Sequence, residues 1–243
     1  MVDFENQHLS IIEQYESSAL DIERIFFTGR YKLSRKHYSL LAVQSISILY
    51  SYWEGFIQNS FRLYIEYLNS LDIEFDLLSD EIVIFHMDKT FKQFKEYPEK
   101  NKQKISFYGK LQNHFSQKRH DIFQTVDTES NVGFMVLNKL LGQFSLEKFP
   151  EYWEQYTYPN PNLKETLDTF IRYRNGVAHG GDISSEEKVT QEVYMKYRKL
   201  MGDLMYAMHD RFMKGIQKQT YLRDSESLAE KGITKIHIRQ DIY

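Results

Sequence analysis

Cysteine is absent from the 243 residues. Disulfides, a thiolate nucleophile and thiolate zinc sites are therefore excluded, and the chain suits a reducing compartment. Proline occurs 4 times and glycine 11 times, too rarely to punctuate a succession of short strands. No apolar run is long enough to span a bilayer. The opening stretch "MVDFENQHLS" has neither the basic nor the apolar region of a signal peptide. A cytoplasmic protein with no membrane partner is expected. Walker A loops, dinucleotide fingerprints and Gly-x-Ser-x-Gly elbows are also missing. The spacing of His37, His86, His114, His120 and His209 offers no metal-ligand pattern with an acidic partner, so neither metal nor other cofactor is expected.

What is present is helical periodicity and a large aromatic supply, 18 Tyr and 17 Phe, enough for a substantial core. Apolar residues recur every three or four positions in most windows, which predicts an all-α helical bundle. A first helix is expected over Glu5 to Phe27 and a second, the longest, over His37 to Leu68, where Tyr50, Trp53, Ile57, Phe61 and Tyr64 share a stripe. A third is expected from Ile82 to Glu96, stopping before Pro98, and another around Ile105 to Phe115. "VGFMVLNKLLGQF" follows "DTESN", which offers several N-cap side chains. Asn162 and Glu165 form a capping-box pattern before "LKETLDTFIRYRN", and Ser184 and Glu187 repeat it before a last helix from about Ser185 to Gly215. The tail "GITKIHIRQDIY" alternates Ile236 and Ile238 with polar residues, as a short strand or an extension does. The expected organisation is one helical domain over 1–216, with a basic helical insertion at about 97–128, and a C-terminal extension over 217–243.

Net charge is only -3, yet Lys89 to His120 holds nine Lys or Arg against Glu96 and Glu99. A polyanion bound there would release its counterions. Lys92, Lys95, Lys100, Lys102 and Lys104 are the candidate RNA-binding residues; the plain alternative is a solvated helix face.

"RYRNGVAHGG" carries the chemistry. Leu163, Leu167, Phe170 and Ile171 form the apolar face of its helix, and Arg174 continues that face, three residues after Ile171. A guanidinium aimed at packed surface needs an anion or a set of acceptors; Glu54, beside Trp53, is the candidate partner. His179 is five residues after Arg174, about 140° around an unbroken helix, so the pair converges only where the helix ends or kinks. Gly176 and Gly180-Gly181 supply the backbone freedom for that. An Arg and a His lining one cleft suit RNA phosphodiester cleavage. Histidine exchanges protons near neutral pH, and arginine offers a permanently charged fork to the developing phosphorane.

At these residues the chain resembles the HEPN domains, whose ribonuclease members are helical bundles with an Arg-polar-x-x-x-His motif. "RNGVAHG" matches that motif, with Arg174, Asn175 and His179 on the active positions. "SYWEGFIQNSF" around Trp53 and Glu54, and "ESNVGFMVLNKLLGQFSL", resemble the bacterial branch related to RiboL-PSP-HEPN proteins. The resemblance spans most of residues 30 to 215. It implies a HEPN-like bundle, a homodimer with facing motif segments, cleavage of an RNA substrate without metal, and a toxin-antitoxin or phage-defence role with an antitoxin or defence-system partner. Some HEPN toxins carry His-x-Tyr, whose tyrosine an antitoxin modifies; Gly181 stands in that place here.

Two functions compete. The first is an endoribonuclease making 2′,3′-cyclic phosphate ends, with Arg174 and His179 catalytic and Asn175 and Glu54 in support. The second is a non-catalytic helical module binding RNA, a nucleotide or a protein. On it, Arg174 is a structural arginine and His179 a side chain bonding free helix carbonyls.

Overall fold

The computed structural model describes residues 3–27, 32, 34–154, 162–178 and 189–223. Among the described residues the chain forms seven α-helices: α1 (Phe4–Phe27), α2 (Arg35–Ser70), α3 (Asp80–Thr90), α4 (Asn101–Ser116), α5 (Phe134–Gln143), α6 (Leu163–Ala178) and α7 (Gln191–Lys218). No strand accompanies them there beyond isolated bridges, so the all-α class read from periodicity holds. No helix among the described residues is long and apolar enough to cross a membrane.

The spine is α2, which packs against α1, α6 and α7, while α5 rests on α3 and α6. The stripe expected of it is the centre of the core: Trp53, Ile57, Phe61 and Tyr64 have no exposed surface. The aromatic wealth is spent largely on packing rings across helices. Phe170 of α6 stacks on Tyr197 of α7 with centroids 4.8 Å apart, and Tyr64 of α2 meets Phe212 of α7 at 5.0 Å. Such pairs add about 0.5–1.5 kcal/mol each beyond area burial.

Several boundaries differ from expectation for local reasons. Helix α3 stops at Thr90 rather than near Glu96, and a short 3-10 turn covers Lys92–Phe94. Phe91 leaves the helix at φ -119° and ψ 84°, and its buried ring meets Phe107 and His114 of α4. Burial of one aromatic outweighs continuation of the helix. No side chain caps α5; Gly133 is its N-cap, and Glu129 and Ser130 of "DTESN" instead adopt left-handed backbone, φ 52° and 53°. Helix α7 begins at Gln191, where the Thr190 hydroxyl accepts from the Val193 N–H at 3.3 Å, and runs on to Lys218. The Ser184–Glu187 pattern and the strand-like tail lie outside the described residues.

Between α4 and α5 the chain runs back along α2. Asn69 exchanges hydrogen bonds with Ile122, accepting at 2.8 Å and donating at 3.2 Å. Thr128 donates to Glu54 at 2.7 Å, Trp53 donates to the Val132 carbonyl at 2.9 Å, and the Val132 N–H donates to the Tyr50 hydroxyl at 2.6 Å. The six steps of chain from Ile122 to Thr128, at about 3.3 Å each, cover about the same 20 Å as the fifteen helical steps from Asn69 back to Glu54 at about 1.5 Å, before the chain turns at Glu129 and Ser130. This strap ends at the apolar seat of α6, and that position matters for the site.

Candidate active site around Arg174

Helix α6 starts as its sequence requires. The Asn162 side chain accepts from the Glu165 N–H at 2.9 Å, and the Thr166 hydroxyl donates to the Asn162 carbonyl at 2.8 Å. Leu163, Leu167 and Phe170 are fully buried and seat the helix against α2. Gly133 sits at the crossing with α5, where an added Cβ would lie 2.7 Å from Ile171 Cδ1 and would displace the end of that side chain. The helix continues through Asn175 and Gly176 to Ala178, so the expected break in "NGVA" does not occur, and Arg174 and Asn175 project from regular helix. His179 lies outside the described residues.

Arg174 is half-buried and bound on three sides. It donates through Nη2 to the Ser130 carbonyl at 2.5 Å and through Nη1 to Asn175 Oδ1 at 2.8 Å. Its guanidinium carbon lies 4.5 Å from the centroid of the Tyr50 ring. The left-handed turn at Glu129 and Ser130 presents that carbonyl. It is braced by the Asp127 carboxylate, which accepts the Glu129 N–H at 3.0 Å, and by Lys139, which donates to Glu129 at 2.5 Å. Tyr50 is itself buried, and desolvation pushes its hydroxyl pKa up, offset in part by the Val132 N–H and by Arg174. The hydroxyl therefore stays protonated, and the ring lies under the guanidinium as a neutral face.

Glu54 does not form the expected ion pair with Arg174. Tyr50, one turn away on the same helix, occupies the place beneath the guanidinium, and the Glu54 carboxylate accepts from Thr128. Its contribution to the site is indirect: it anchors the strap two residues before the carbonyl that receives Arg174. Among the described residues Arg174 has no carboxylate partner. Arg198 pairs with Glu23 at 2.6 Å and Arg223 with Asp80 at 2.5 Å, while Arg119 is bound to Asp72. Arg211 represents the structural alternative. It is 9% exposed, donates to the Glu147 and Ala207 carbonyls at 3.0 and 2.9 Å, and packs on the Phe149 ring. Arg174 combines the same kinds of support with a solvent-reaching position.

Sequence reasoning proposed Arg174, Asn175 and Glu54 and did not name Tyr50 and Ser130, which the structure places against Arg174. The available signal was spacing: Tyr50, Trp53 and Glu54 lie at i, i+3 and i+4, so one face of α2 carries all three.

The candidate lysines do not converge on Arg174 as one patch. Lys92 borders an open pocket between α3 and α4, Lys102 a neighbouring groove that also holds Glu96, and Lys104 lies 5.5 Å from the centre of the Tyr97 ring. Lys95 and Lys100 are exposed. Among the described residues no group of three or more His, Asp or Glu is arranged to hold a metal ion.

A helical bundle that holds an Arg-Asn pair over a tyrosine face, with a histidine following in the chain, defines the class. The chain belongs to the RiboL-PSP-HEPN family, whose model matches residues 9–214. No curated protein and no solved structure matches it.

Proposed function

We propose that the protein is an endoribonuclease that cleaves RNA by attack of the 2′-hydroxyl on the adjacent phosphorus, with no metal in the step. The attacking oxygen loses its proton to a histidine, the P–O5′ bond breaks, and the departing 5′-oxygen takes a proton. The ends are a 2′,3′-cyclic phosphate and a 5′-hydroxyl. His179 carries the proton transfer, a role its ordinary pKa of about 6.5 suits. Arg174 stabilises charge on the phosphorane, Asn175 orients the guanidinium, and Glu54 positions it through Thr128 and the strap.

One observation carries this reading: Arg174 is held by a carbonyl, an amide oxygen and an aromatic face, none of which neutralises its charge. A carboxylate partner would have cancelled the attraction for phosphate. Fixing the fork beforehand also lowers the cost of organising it at the transition state.

On any unbroken helix two side chains five residues apart point about 140° away from one another. A second copy of the chain, supplying its own motif across a shared cleft, brings two Arg-Asn-x-x-x-His segments together, as the family resemblance implies. A homodimer acting in a toxin-antitoxin or phage-defence setting in the cytoplasm completes the proposal.

The test is cleavage of bulk RNA in EDTA by the wild type, His179→Ala and Arg174→Ala, with circular dichroism and dimer mass measured for each. Cleavage by the wild type alone, with all three folded, is expected. Equal cleavage by folded His179→Ala would end the nuclease assignment. Salt-dependent RNA binding with no cut product from any version would favour a binding module.

A further inference from the structure

Away from Arg174, helices α3 and α4 enclose an open pocket of about 450 Å³ whose lining includes Lys89, Lys92, Lys110, Asn113, His114 and His120. Its remaining lining residues are neutral, so no carboxylate borders it, in a protein whose net charge is -3. Neither Lys92 nor Lys110 has an ion-pair partner among the described residues, and Lys89 reaches Asp127 only at 3.9 Å. The volume falls in the range of small-ligand sites.

The wall is built rather than incidental. His114 and His120 stack with ring centroids 3.6 Å apart, His86 stacks on His114 at 5.3 Å, and Phe75 presents its ring edge-on to all three. His120 Nε2 bonds the His114 carbonyl at 2.9 Å. His114 is 9% exposed, and its buried Nε2 has no hydrogen-bond partner.

We propose that this pocket is a phosphate-binding subsite, formed by Lys89, Lys92 and Lys110 against the His114–His120 stack, that holds the backbone of an RNA strand leading to Arg174. The ligand assignment rests on the nuclease reading above; the phosphate chemistry rests on the pocket alone. Lysines act as point charges for phosphate, Asn113 supplies amide N–H donors, and the stacked His114 and His120 rings form the wall beside them. The strap sets the direction. Lys89 touches Asp127, and Ser130, which receives Arg174, is three residues further on, at most about 11 Å of chain. Lys89 of the pocket and the Arg174 guanidinium therefore contact one short segment, Asp127 to Ser130.

The experiment uses the full chain and two probes. Titration with inorganic phosphate, followed by the ring resonances of His114 and His120, is expected to shift both in the wild type and neither in Lys92→Ala/Lys110→Ala. Affinity for a non-cleavable 2′-O-methyl oligonucleotide is read by anisotropy across a salt series. A fall of about tenfold at low salt is expected for the double variant, with a salt slope shallower by roughly 0.7 for each phosphate no longer neutralised. Lys148→Ala/Lys218→Ala removes the same charge elsewhere and is expected to change little. An equal loss in both double variants, or histidine resonances indifferent to phosphate, overturns the subsite. Phosphate and a mononucleotide that shift the rings, combined with oligonucleotide affinity independent of Lys92 and Lys110, overturn the RNA assignment. The two proposals fail separately: no cleavage by the wild type sinks the nuclease reading and leaves the phosphate subsite standing, whereas histidine resonances indifferent to phosphate in a protein that cleaves RNA sink the subsite alone.

Discussion

Arg174 lies over the ring of Tyr50, guanidinium carbon 4.5 Å from the ring centroid, and the Tyr50 hydroxyl accepts the N–H of Val132 at 2.6 Å. One side chain thus supports the Arg174 guanidinium with its face and the adjoining strap with its edge. The aromatic face is worth about 0.5–2 kcal/mol to the cation, while leaving its charge available to a phosphate.

Arg174→Lys keeps the charge but loses the planar fork, so it cannot hold the Ser130 carbonyl, the Asn175 amide and a phosphate together. Cleavage is expected to fall by about a hundredfold or more, with thermal stability reduced by about 1–2 kcal/mol for the missing support. Initial rates at saturating RNA measure the first, melting the second. Wild-type rates in this variant would show that charge alone suffices.

Tyr50→Phe retains the face and removes the acceptor, leaving the Val132 N–H buried without a partner. A stability loss of about 1–3 kcal/mol is expected in urea, with cleavage within a few-fold of wild type well below the melting temperature. Tyr50→Leu removes both supports and is expected to lose activity as well. Equal activity in the two variants would mean that the ring face does not serve Arg174.

Gly133→Ala places a Cβ 2.7 Å from Ile171 Cδ1 and is expected to cost about 1 kcal/mol, the low end for overpacking, because the end of that side chain can turn aside. Ile171→Val deletes that methyl. The double variant should therefore be more stable than the sum of the singles allows, a coupling that a double-mutant cycle in urea reads directly. Strict additivity would place the strain elsewhere.

Acid should weaken the fold before carboxylates titrate. His8 and His209 are buried with their Nδ1 atoms 3.0 Å apart, a contact that needs one ring to donate and the other to accept. Burial, and then the charge His209 would carry, push His8 down to about 3; burial, then His114 and His120, push His86 down to about 4. Above the unfolded value of about 6.5 both states are neutral there and stability is full. As pH falls below it the unfolded chain binds protons that the folded chain refuses, so stability drops by about 1.4 kcal/mol per pH unit for each such histidine, down to the folded values. Urea midpoints at pH 7.5 and 5.5 test the sign, and a flat profile between them would mean that these histidines titrate normally in the folded protein.

Much of the fold was legible in sequence because it depends on neighbours in the chain. The periodicity of Tyr50, Trp53, Ile57, Phe61 and Tyr64 located α2, and Asn162 located the start of α6. The end of α3 was not legible, since Phe91 leaves the helix for Phe107 and His114, partners from another helix. The Arg174–Glu54 pair was a reasonable expectation from charge, and Tyr50 displaced it through a position on α2 that spacing alone does not rank above Glu54. The two histidine clusters were equally hidden: His114 follows Phe107 and Leu111 at helical spacing, which marks it as inward-facing without naming what it meets.

Sequence by itself determined the helical class, because apolar spacing acts within each helix, and it determined that Arg174 extends an apolar face and needs acceptors. Only the tertiary structure decided which acceptors those are. The strap from Ile122 to Val132 brings the Ser130 carbonyl to Arg174 because Asn69, Glu54 and Tyr50 of α2 anchor it at both ends and it turns left-handed at Glu129 and Ser130 between them. Long-range register of this kind arises from the packing of segments far apart in the chain.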